Sequence, residues 1–188
     1  MQYFCFMSNA YKFHDQTKPY FITFTIVEWA DLFSRRDYCE VVLDSIRFCQ
    51  KGKGLIVYAW VIMTNHVHMI IGTSNKDMED IMRDMKSFTS RKLREEIKNH
   101  SQESRKEWLL SMFENAGKKN GNNTDWQLWQ QDNHPIELWD NYMIDNKLIY
   151  LHNNPVAAGI VYRAEDYVYS SAIDYAGGKG LLEVVLLE

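Results

Sequence analysis

The apolar positions of the chain alternate between stretches of strand character and stretches of helical spacing. Tyr20 to Val27 is β-branched and aromatic throughout and follows Pro19, which predicts a first strand. From Asp37 to Gln50 the apolar residues Val41, Val42, Ile46 and Phe48 recur at helical spacing with few breakers, and Lys51-Gly-Lys-Gly54 ends that helix. Leu55 to Ile71 is again strand-forming, interrupted only by polar Thr64-Asn65. Two strands joined by a tight turn are therefore expected, the second beginning at His66. Met78, Ile81, Met82, Met85, Phe88 and Leu93 then step by three and four, which predicts a long amphipathic helix over Lys76 to Lys98.

Asn99 to Asp125 is polar and holds the run Gly117 to Thr124, so it reads as a peripheral insertion, much of which could be removed without loss of folding. Trp108, Leu109, Leu110 and Met112 are the exception and suit a short helix docked on the body. A short strand over Trp126 to Gln130 and a helix over Asn141 to Asn153, stopped by Pro155, complete the pattern. The order β-α-β-β-α-β plus one further helix predicts an α+β, ferredoxin-like domain spanning 1–188. In it an antiparallel sheet carries two helices on one face and leaves the other open for a site. Such a fold implies no activity by itself.

The chemistry is concentrated in two places. Residues two apart on a strand share a face, so His66 and His68 can aim both imidazoles at one ion, looking away from the helices that Val67, Met69 and Ile71 meet. A histidine pair of this kind also occurs as a satisfied polar pair, so it needs a companion. Tyr150 and Asn154 lie four apart near the end of the last helix and project together. A tyrosine hydroxyl, with a pKa of about 10, needs a nearby cation or an activated electrophile to attack, and a divalent ion polarising a phosphodiester supplies the latter.

Composition narrows the setting. A net charge of -4 argues against a protein that coats DNA through overall positive charge. Basic contacts would have to be local, and Lys86, Arg91 and Lys92 form the best candidate patch. Cys5, Cys39 and Cys49 contain no CxxC pair and leave an odd thiol, no signal peptide is evident, and no apolar run approaches a membrane span. A soluble, cytoplasmic protein is expected.

The segment Trp60-Val-Ile-Met-Thr-Asn65-His66-Val67-His68-Met-Ile-Ile71 resembles the His-hydrophobic-His (HUH) signature of single-tyrosine transposases, especially the REP-associated tyrosine transposases. Trp129-Gln130, the run Tyr150-Leu-His-Asn-Asn-Pro155-Val-Ala-Ala-Gly159 and the run Asp166-Tyr-Val-Tyr-Ser170-Ser-Ala172 look like the later pattern of that family, in the same order. The resemblance covers roughly Tyr20 to Tyr175 and leaves the Asn99 to Asp125 stretch unmatched.

It implies Tyr150 as nucleophile, with His66, His68 and Asn154 holding Mg2+ or Mn2+. The implied substrate is single-stranded DNA beside a short hairpin, cut through a 5′-phosphotyrosine by a monomer or homodimer. His152 points away from the Tyr150 face and receives no catalytic role, and His134 suits a structural one. Two other readings stand beside this: a hydrolase using metal-activated water, and a non-catalytic or domesticated binder of hairpin or single-stranded DNA.

Overall fold

The computed structural model describes residues 13–120, 125–131 and 135–187. Its elements are β1 (Tyr20–Thr25), α1 (Arg36–Lys53), β2 (Leu55–Ile62), β3 (His66–Thr73), α2 (Met78–Asn99), α3 (Lys106–Lys118), β4 (Ile136–Glu137), α4 (Asn141–Ala157) and α5 (Ala172–Tyr175). The sheet order is β2-β3-β1-β4 with every pair antiparallel, which is the expected ferredoxin-like arrangement. His134 and Cys5 lie outside the described residues. No helix among the described residues is long and apolar enough to cross a membrane.

Strand alternation divides the sheet between two apolar clusters. Tyr20, Ile22, Phe24, Val67, Met69 and Ile71 enter the larger one with α1 and α2. Phe21, Ala59, Val61 and Ile70 face the other side, where Leu151 of α4 meets them. In β2 the alternation changes parity: Val57 and Trp60 share the α1/α2 side because the β2–β3 register shifts between Val57 and Ala59. A bulge of this kind adds one residue to a strand and re-aims everything after it. The extra residue is Tyr58, whose ring lies over Gly72, where a Cβ would come within 3.0 Å of it.

Two sequence expectations need correction. Residues 126–130 do not form a ladder strand; they contribute one bridge, Ile26 to Trp129, and the fourth strand is the short β4. Packing takes precedence there, because the Trp129 ring is buried beside Phe24 and Phe33 and its Nε1 donates to Thr89 Oγ1 at 3.0 Å. The last helix does not stop at Pro155 but runs through it to Ala157. Pro155 forgoes its own N–H bond and crowds the carbonyl four residues before it, yet the helix closes only beyond it around Gly159 (φ 71°), with Ile160 N donating to Pro155 O at 2.9 Å. Of the apolar residues that marked α1, Val41, Val42 and Ile46 are buried and Phe48 is exposed.

Within the stretch 99–125, α3 buries Leu109 and Phe113 completely, so this part of the polar segment belongs to the core. Gly117 lies against the backbone of Trp126, where a Cβ would stand 2.2 Å from Trp126 N.

Backbone hydrogen bonds continue past the end of β1 and along the outer edge of β2. Beyond β1, Val27 N donates to Leu128 O and Gln130 N to Thr25 O. Beyond β2, Ile62 N donates to Tyr169 O, Ser171 N to Trp60 O, and Val185 N to Val57 O, so the segment after α4 occupies that edge.

Candidate active site

His66 and His68 project from β3 onto the α4 side of the sheet, with ring centroids 4.6 Å apart. The antiparallel register sets Thr25 opposite His66 and Thr23 opposite His68. As a result Thr23 Oγ1 lies 2.8 Å from His68 Nδ1. At the other histidine the Asn65 Oδ1 is 2.6 Å from His66 Nδ1. An amide oxygen only accepts, so the His66 proton sits on Nδ1 and its Nε2 presents a lone pair.

His68 is 5% exposed, and its Nε2 is buried without any hydrogen-bond partner. Burial first, then the neighbouring His66 and Lys147, pulls the His68 pKa down to about 3. Burial also lowers that of His66, opposed by a side-chain hydrogen bond with Asn154. Both rings are thus neutral at physiological pH, the form in which imidazole binds metal.

α4 carries the other half of the site. Asp140 caps it, its carboxylate accepting from Met143 N at 2.7 Å. Ile144, Leu148 and Leu151 pack on the sheet. The adjoining stripe presents Lys147, Tyr150 and Asn154, spaced by three and four. The Tyr150 ring lies 5.3 Å from His68 and 6.0 Å from Phe21, and the residue is 51% exposed, so an incoming group could reach its hydroxyl. The Lys147 ammonium is 4.8 Å from the Phe21 ring centre and 5.6 Å from that of Tyr150.

Lys147 went unnoticed in the sequence; its position three residues before Tyr150 was the available signal. Thr23 was missed as well, since only the β1–β3 register brings it to His68.

The donor set suits a divalent metal ion of borderline character. Two neutral imidazoles converge, one with an orphaned buried nitrogen, and an amide residue bonds to the other. No group of three or more His, Cys, Asp or Glu that could hold a metal ion assembles among the described residues.

Three later tyrosines are engaged elsewhere or lie in solvent. Tyr167 donates to Ile62 O at 2.8 Å and Tyr175 to Tyr58 O at 3.0 Å. Tyr162 is fully exposed beyond the end of α4. His152 turns away from Tyr150, with Nε2 2.9 Å from Ser171 Oγ and its ring 5.0 Å from that of Tyr175.

The basic patch on α2 lies across the sheet from the histidines. Lys86 donates to Gln130 O at 3.2 Å, and Lys92 reaches Glu95 and Glu96 at 3.8 and 2.9 Å. Lys86 and Arg91 join Arg94 and Trp126 around a cleft of about 450 Å3.

Residues 20–119 match the family described as IS200-like transposases. The chain is similar in structure to a REP-associated tyrosine transposase solved bound to a REP hairpin, with 16% identity, a TM-score of 0.64, and coverage of 97% of this chain and 94% of that one. A candidate transposase from Deinococcus radiodurans R1 matches with 15% identity and a TM-score of 0.44 over 72% of this chain and 88% of that one. No curated protein matches the sequence.

Proposed function

The chain belongs to the IS200-like transposase family, and from that premise we propose that it cuts and rejoins single-stranded DNA at hairpin-flanked sites, with Tyr150 as the nucleophile. The carrying observation is the approach of Tyr150 to the paired histidines, 5.3 Å between the rings of Tyr150 and His68, from a different element of the fold.

Tyr150 Oη attacks the scissile phosphorus, the bond from phosphorus to the 3′ oxygen breaks, and the phenol gives up its proton while the departing strand gains one as a 3′-OH. The 5′-phosphotyrosine so formed conserves the energy of the broken ester, and attack by another 3′-OH reverses the step without ATP. α4, anchored by buried Leu151, holds the phenol in line. Lys147 adds positive charge where phosphate charge accumulates. His66, His68 and Asn154 would hold Mg2+ or Mn2+, which when bound neutralises a non-bridging phosphate oxygen.

Hairpin recognition is drawn from the DNA-bound structural neighbour. Lys86, Arg91 and Lys92 serve phosphate contacts outside the reacting centre. The exposed ion pairs of Lys92 are weak enough for a phosphate to displace. A water-activating hydrolase is less well supported, because among the described residues no third imidazole or carboxylate joins the pair.

The deciding experiment incubates the protein with hairpin DNA flanking its own gene and Mn2+, then looks for a phosphotyrosyl adduct. Tyr150→Phe should abolish the adduct with folding intact, and an adduct formed at the wild-type rate would reject the assignment.

A further inference from the structure

Trp29 is a large apolar side chain that the fold holds out in solvent beside the histidine pair. It is 60% exposed, and its ring centre lies 6.3 Å from that of His66 at an interplanar angle of 74°. The backbone that presents it is unusual: Glu28 and Trp29 both have φ 54°, a region that L-residues avoid and glycine enters freely. That turn is fixed on every side. Trp29 N donates to Ile26 O at 3.1 Å, Val27 N to Leu128 O at 2.9 Å, and Ala30 N to Val27 O at 3.3 Å. Asn65 binds both neighbours, its Nδ2 donating to Trp29 O at 3.3 Å while its Oδ1 meets His66 Nδ1.

An indole of no use would be cheaper as glycine at such a position, or turned into the core. Here an unfavourable backbone is retained and the ring is left bare, in register with the residue that orients His66. Backbone strain maintained by its surroundings is characteristic of binding and catalytic sites. Beside the ring opens a cleft of about 410 Å3 whose lining includes Glu28, Lys119, Gln127 and Gln130. A flat apolar face flanked by amides, an ammonium and a carboxylate suits a nucleobase, whose polar edge carries both donors and acceptors.

We propose that Trp29 is the stacking platform for a base of the DNA strand next to the scissile phosphate, so that Trp29 and Tyr150 bracket the histidine pair and set the register of the strand between them. This rests on the strand-transfer reading above, but it can be tested without any cleavage.

The test measures binding in EDTA, by fluorescence anisotropy, of a DNA hairpin carrying a single-stranded tail of about a dozen thymidines. Stacking of one base on an aromatic ring is worth on the order of tenfold to a hundredfold in affinity. Trp29→Gly should weaken tail binding by that amount while keeping or raising the melting temperature, because glycine adopts φ 54° without strain. Trp29→Phe should stay within about threefold of wild type. Moving one abasic nucleotide along the tail should expose a single position whose loss in wild type disappears in Trp29→Gly. Wild-type affinity in Trp29→Gly, or abasic losses of the same size in both proteins at every position, would overturn the proposal. Failure of the cleavage reading is seen separately, as an absent phosphotyrosyl adduct on adding Mn2+ while the Trp29-dependent binding remains.

Discussion

Removing the Thr23 hydroxyl should weaken metal binding without touching any proposed ligand. Thr23→Val keeps the β-branched shape that the strand favours and deletes only the oxygen 2.8 Å from His68 Nδ1. If that oxygen accepts from Nδ1–H, the lone pair of His68 resides on Nε2, the buried nitrogen that has no partner in the protein. The opposite tautomer would aim an N–H into the same unpartnered position. In the valine variant the Nδ1–H either stays buried and unsatisfied, at about 1–3 kcal/mol, or the proton moves to Nε2 and occupies the lone pair.

The free protein relaxes by the second route, so metal binding has to restore the unsatisfied Nδ1–H tautomer at that cost. This corresponds to a fall of about tenfold to a hundredfold in metal affinity, the usual size for an outer partner of a ligating histidine. Calorimetric titration of the DNA-free protein with Mn2+ measures the effect directly, and excess metal should restore cleavage. Thr23→Ser should bind as wild type. Unchanged affinity in Thr23→Val, or equal loss in Thr23→Ser, would refute the tautomer argument.

Two stability predictions follow from groups outside the site. Burial holds the His152 pKa down to about 4, whereas an unfolded histidine titrates near 6.5, so the unfolded chain takes up the proton first. The contribution is complete above pH ~6.5 and is lost as pH falls toward 4. Urea unfolding should therefore show about 2–3 kcal/mol less stability from this group at pH 4.5 than at pH 7. His152→Gln should flatten that difference, and parallel pH profiles would contradict the reasoning. Gly117→Ala places a Cβ 2.2 Å from Trp126 N, a backbone atom that cannot swing aside. A loss of about 2–3 kcal/mol in chemical denaturation is expected, and a neutral result would show that α3 shifts freely. Shortening of the polar stretch should accordingly begin after this glycine.

Much of the architecture could be read from the chain because strand and helix periods are strong where one face is buried. The histidine pair was legible because a period of two is the same in any strand, and Tyr150 with Asn154 because four residues make a helical turn. What escaped depended on distant partners. Thr23 meets His68 only through strand register, and the parity change at Tyr58 depends on how β2 pairs with β3. Trp129 has strand-forming composition, but the pocket between Phe24, Phe33 and Thr89 claims its ring. The positive φ at Trp29 has no local sequence signal, since neither Glu nor Trp favours it.

The covering of β2 bears on how the protein is made. Its sequence, Leu-Ile-Val-Tyr-Ala-Trp-Val-Ile, carries no charge, proline or glycine, the composition most prone to intermolecular β-pairing. Its outer edge is satisfied by residues far along the chain: Trp60 N donates to Ser171 Oγ across a separation of 111 residues. At ordinary synthesis rates that interval lasts about 5–20 s. Throughout it, a nascent chain exposes an adhesive edge that the finished molecule conceals. Slow synthesis, crowded ribosomes or loss of the later segment would thus cause aggregation of the nascent chain before any loss of catalytic geometry.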